Sequence, residues 1–341
     1  MVQLLKFKEQ IFHFVGRFEF FVLAAIRFIV AFSAFTLINQ TVGYMKLLCD
    51  PSYHIPLILA LICAFLPGGM MLFFSAVMIL LHFFALSKEL CAIAAMIFIV
   101  LFCLYFRFSH KKGLYAVLTP VLGFLGIPYV MPVSCGLLSQ PYTAISVVSG
   151  EIVYFLLKNV NESSALFSGE IAASGKSIIT LATKELLQDQ EMYFYLGAFA
   201  AAAIVVYCVR KLSVDHSHML AIVLGIVIQM AMICAGEIVM GNMDKLTPII
   251  AGCIVSLFIC FFLDFMSRSL DYSRVEHLQF EDDEYYYYVK AVPKSSVQMT
   301  DKQVKQINAK RTKKQKVNKT KKVMAVHLKG HPERTEDTNE E

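Results

Sequence analysis

Seven stretches of this chain, 20–38, 70–87, 91–106, 142–157, 192–209, 219–240 and 246–266, are each apolar over most of the length a helix needs to cross a bilayer. A soluble core has no place for so many unbroken apolar blocks, and 57% of the 341 residues are hydrophobic, so an ordinary soluble domain is excluded. In hydrocarbon every backbone N–H and C=O must find a partner within the chain, which makes each run a helix. The expected class is an all-α polytopic membrane protein.

Charge orders the runs. The loop "RFSHKKG" carries Arg107, Lys111 and Lys112, and a later one carries Arg210 and Lys211, so the positive-inside rule places both on the cytoplasmic face. An eighth apolar segment, 55–66, ends at Pro67-Gly68-Gly69 and spans roughly 18 Å as a helix, short for a full crossing. Counting it gives about eight crossings with both termini cytoplasmic. Residues 1–19, with Lys6, Lys8 and Arg17 among Leu, Ile and Phe and no small-residue cleavage site, read as an interfacial helix. Residues 20–266 form the membrane domain, interrupted by an outer loop over 159–191 whose second half has helical periodicity. Eight of the nine cysteines lie inside apolar segments without CxxC or Cys/His spacing, which makes them small hydrophobes rather than metal ligands. With no Trp in the chain, Tyr and Phe supply the interfacial aromatic belt.

Gly113–Lys158 is apolar yet holds Pro120, Pro128, Pro132 and Pro141 with Gly123, Gly126 and Gly136. Such a stretch cannot be one helix, and a break in hydrocarbon survives only where protein surrounds it or water reaches it. The expectation is a re-entrant pair, 113–126 and 128–140, followed by a true span. The break at Gly126-Ile127-Pro128 resembles the one at Gly68 and Gly69, a pairing of discontinuous helices like that in transporters. Kinks that only assist packing are the structural alternative.

Polar residues inside apolar runs narrow the site. Glu151 sits mid-span directly after Gly150, while Gln229 and Glu237, eight residues apart, share a helix face; Gln140 closes the broken stretch. Intramembrane carboxylates face the bundle interior or water and mark substrate or ion paths. For Glu151 the structural alternative is an ion pair, with Arg27 of the first span as partner; for Glu237 it is an interfacial position. The candidate path residues are therefore Glu151, Gln140, Glu237, Gln229, Gly68, Gly69, Gly126 and Pro128, and Arg27 alone reads as a snorkelling side chain.

Beyond the last span, 267–296 contains two β-prone runs, 275–280 and 285–292, around an acidic turn, the pattern of a cytoplasmic β-hairpin. Residues 297–341 form a disordered basic tail: 300–322 has ten Lys/Arg against one acid and little that could build a core. Lys310, Arg311, Lys313, Lys314 and Lys316 are its candidate contacts to anionic lipid headgroups. No folded nucleic-acid motif accompanies the charge, so nucleic acid is not an expected partner. "GEIAASGKS" at Gly169–Ser177 has one residue too many between its glycines for a P-loop, and "DHSH" at Asp215–His218 offers too few ligands for a metal.

The string "LQFEDDEYYYYVKAVPK", Leu278 to Lys294, resembles one in multi-pass membrane proteins of Clostridia-type bacteria, some of them labelled ABC transporter permeases. The resemblance implies a bacterial cytoplasmic membrane protein, and the permease label implies a separate ATPase subunit; a homo-oligomer is the other expected assembly. The leading functional reading is a transporter or permease component with its path at the broken helices. A non-transporting scaffold or assembly factor that presents the hairpin and tail is the alternative. An enzyme ranks third, because HExxH, GxSxG and paired intramembrane aspartates are absent from the sequence, and no cofactor is called for.

Overall fold

In the computed structural model the described residues are 2–45, 48, 54–109, 112–164, 189–212, 214, 216–267, 276–281 and 286–291. The chain divides into two units, Met1–Ser269 and Leu270–Glu341. In the first, helices α1 (Val2–Arg17), α2 (Glu19–Thr41), α3 (His54–Phe65), α4 (Gly68–Leu86) and α5 (Lys88–Phe108) come before the broken stretch. Two short helices follow, α6 (Gly113–Phe124) and α7 (Val130–Leu138), then α8 (Ala144–Glu162), α9 (Gln190–Arg210), α10 (Ser217–Met240) and α11 (Leu246–Ser267). Seven helical segments among the described residues are long and apolar enough to cross a membrane, and they coincide with the seven runs read from the sequence. α3 and α6 are shorter apolar helices.

Chemistry at the helix ends explains where they stop. α6 closes on Gly126, whose φ of +76° suits glycine, with Ile127 N–H bonded to Leu122 C=O at 3.0 Å; Pro128 then prevents continuation. α10 ends in the same way on Gly241, with Asn242 N–H bonded to Glu237 C=O at 2.9 Å. The Asp189 carboxylate caps α9 by accepting from Glu191 N–H at 2.9 Å.

Not every proline breaks the chain. Pro132 lies in the first turn of α7, where no intrahelical donor is required, and Pro141 opens a 3₁₀ turn ahead of α8. Pro120 lies inside α6 and leaves the Ala116 carbonyl without its helical donor. α8 approaches just there: a Cβ on Gly150 would lie 2.6 Å from Ala116 O.

Side-chain bonds bring the two ends of the α6–α7 pair together. Ser139 Oγ donates to the Tyr115 hydroxyl at 3.2 Å, and Ser146 Oγ donates to Ser109 Oγ at 2.7 Å. The Arg210 guanidinium ties this end to α9 by donating to the carbonyls of Leu137 and Ser139. α6 and α7 thus form a helical hairpin that starts and finishes at the end of the bundle bearing Arg107, Lys112 and Arg210. Lys8 of α1 donates to Phe265 O near the end of α11, so the bundle's first and last helices also meet.

The core falls into two clusters. One joins α2–α5 to one face of α6 and α8 through Phe35, Ile79, Phe83, Leu90 and Leu156. The other joins α7 and the opposite side of α8 to α9–α11 through Val133, Phe155, Phe199, Ile222 and Cys260. All residues of α7 from Val130 to Leu137 are buried.

In the second unit, β1 (Glu276–Glu281) and β2 (Tyr286–Ala291) pair antiparallel, with Glu276 opposite Ala291 and Glu281 opposite Tyr286. The basic tail with Lys310, Arg311, Lys313, Lys314 and Lys316 lies outside the described residues, as does the predicted surface helix up to residue 188.

Candidate functional site

Of the four acidic and amide side chains expected to line a path, Glu151, Gln229 and Glu237 are fully buried, whereas Gln140 is exposed. Glycine governs how α8 reaches its neighbours. Gly150 seats it on α6, and a Cβ on Gly123 would meet the Tyr154 ring at 2.7 Å, so Glu151 between these contacts is sealed from solvent. Neither of its carboxylate oxygens has a hydrogen-bond partner.

Gln229 projects from the middle of α10 and donates from Nε2 to Tyr129 O at 3.1 Å, which satisfies a carbonyl exposed by the α6–α7 break. Its own Oε1 accepts nothing. Glu237, two turns further along α10, accepts from Asn242 Nδ2 at 3.1 Å on one oxygen and has no partner on the other. Ser256 Oγ on α11 completes the set of buried, unpartnered polar atoms in this cluster. Most of these atoms are acceptors, and the donors that would match them are missing.

An aromatic ladder connects the acceptors. Phe124 meets Tyr154 at 5.0 Å between centroids, Tyr154 meets Phe155 at 5.3 Å, Phe155 meets Tyr195 at 5.4 Å, and Tyr195 meets Phe199 at 6.1 Å. Phe199 in turn packs edge-on against Tyr129 at 6.3 Å. Tyr129 and Tyr195 thus flank Phe199 from two sides. Sequence reasoning missed Tyr129 and Tyr195. The one available signal for Tyr129 was its position directly after Pro128.

At the end of the bundle away from Arg210, Glu191 accepts from Lys158 at 2.9 Å and from Lys245 at 2.5 Å, locking α8, α9 and the turn before α11 together. Lys158 is therefore engaged with Glu191 rather than with Glu151.

The remaining sequence candidates lie elsewhere. Arg27 donates to Leu66 O at 3.2 Å, a cation at the C-terminal end of α3, and does not pair with Glu151. Gln140 is exposed beside the Ser139–Tyr115 contact, where its main-chain carbonyl accepts from Thr143. Gly68 and Gly69 lie at the start of α4 against Tyr105 and Gly113, in the N-terminal half. Gly126 and Pro128 do belong to the cluster: a Cβ on Gly252 of α11 would sit 2.7 Å from Gly126 O. The two glycine breaks are thus in different halves and build no common site. His218 meets Asp264 at 3.2 Å, and no group of three His, Cys, Asp or Glu among the described residues is placed to hold a metal.

The bundle defines a multi-pass helical membrane protein. No family model matches the chain, and no curated protein or solved structure matches it.

Proposed function

We propose that the chain is a transporter or permease component whose path runs through the C-terminal half, past Glu151, Gln229 and Glu237. One observation carries this reading: the fully buried Glu151 carboxylate lacks any hydrogen-bond partner. Burying a carboxyl group without one costs about 1–3 kcal/mol or more, and a structural role would have supplied the missing donor. In this reading the α6–α7 hairpin is re-entrant from the cytoplasmic side of a bacterial membrane. The basic end and both termini face the cytoplasm, where the hairpin of β1 and β2 and the lipid-binding tail also lie.

The scaffold reading predicts a uniformly packed interior, and that separates the two. In a cysteine-free background, Gln229→Cys is expected to react with a small water-soluble thiol reagent in open membrane vesicles, while Ile79→Cys in the other core stays unreactive. Equal protection of both positions contradicts a path through this half.

A further inference from the structure

We propose that Glu151 is a proton-binding site that holds its proton inside the bundle at neutral pH. This rests on the path reading and deepens it, because it names the species that enters.

The argument begins with the imbalance of donors and acceptors. Four side-chain oxygens, both of Glu151 and one each of Gln229 and Glu237, are buried without a donor. A proton supplies one to the carboxylate that lacks a partner on both oxygens, and it needs no cavity, which suits a carboxyl that is 0% exposed. No neighbouring cation takes that place. Arg27 is bonded to Leu66 O, and Lys158, about two turns further along α8, is held by Glu191.

The ionisable groups whose charges reach Glu151 are Lys158 and Tyr154 on α8 and Tyr129 at the start of α7. A carboxylate there would have no donor bonded to it, and its one cation is already held by Glu191.

Infrared difference spectroscopy on the full-length protein in liposomes tests this. Wild type at neutral pH is expected to show a carboxylic-acid carbonyl band that disappears in Glu151→Gln and moves in Glu151→Asp, the second variant guarding against a misfolded first. If the band is unaffected by both Glu151 variants, the proton site is wrong. Thiol accessibility of Gln229→Cys reports on the path separately: a reactive position with no Glu151 band leaves the path and overturns only its proton.

Discussion

In the N-terminal half the buried imidazole of His82 has both nitrogens bonded; in the C-terminal half the buried carboxylate of Glu151 has neither oxygen bonded. Met45 N–H donates to His82 Nδ1 at 3.2 Å, so the ring proton must sit on Nε2, from which it reaches Asn39 Oδ1 at 2.9 Å. Asn39 passes the chain on by donating to Leu48 O at 3.0 Å. That network fixes the segment after α2 against α4, and each member is satisfied. Packing differs as well. α2, α4 and α5 meet α6 and α8 around a small apolar cleft lined by residues such as Ala34, Ile79, Phe98, Val121 and Leu157. In the C-terminal half Gly136, Gly225, Gly236 and Gly252 bring neighbouring chain segments close instead. A buried polar residue is thus no sign of function by itself. What distinguishes His82 from Glu151 is whether its bonds are made.

Glycine substitution is expected to break this contrast most strongly. A Cβ on Gly150 would lie 2.6 Å from Ala116 O and one on Gly136 2.6 Å from Ala203 O, both backbone atoms that cannot step aside. Gly150→Val or Gly136→Val should therefore lose about 3 kcal/mol or more, whereas Gly68→Ala, with nothing within 4 Å, should change little. The chain has no Trp, but Cys63, Cys135, Cys253 and Cys260 are buried, so thermal unfolding can be followed by their reaction with a thiol-sensitive dye. Similar melting temperatures for Gly150→Val and Gly68→Ala would show that the halves pack alike.

Polar deletions sharpen the comparison on a smaller scale. His82→Ala strands Met45 N–H and Asn39 Oδ1 and should lose about 2 kcal/mol. Ser256→Ala removes a hydroxyl that has no partner and should be neutral or slightly stabilising. The same assay checks the pair, and a larger loss at Ser256 than at His82 would reverse the assignment of the structural half.

Much of the bundle was legible because span length and apolarity are local properties: all seven runs became helices, and Gly126-Ile127-Pro128 ended α6 through its own turn chemistry. Glu151, Gln229 and Glu237 stood out because a polar atom in an apolar run is visible in one dimension. Partnership is not. Nothing in the sequence shows that Arg27 turns to Leu66 O, that Lys158 turns to Glu191, or that the two glycine breaks lie in different halves. Tyr129 and Tyr195 were hidden for the same reason, since an aromatic in a membrane helix reads as ordinary packing until the facing helix is known.

The claim that Glu151 is functional rather than structural is tested most directly by its thermal stability as Glu151→Gln, measured beside His82→Ala in the same detergent. The account predicts that Glu151→Gln melts within a few degrees of wild type or above it, because no bond is lost. His82→Ala should fall by roughly 2–4 °C for each kcal/mol. A fall for Glu151→Gln as large as that for His82→Ala would mean the carboxylate holds the bundle together, and would contradict the account.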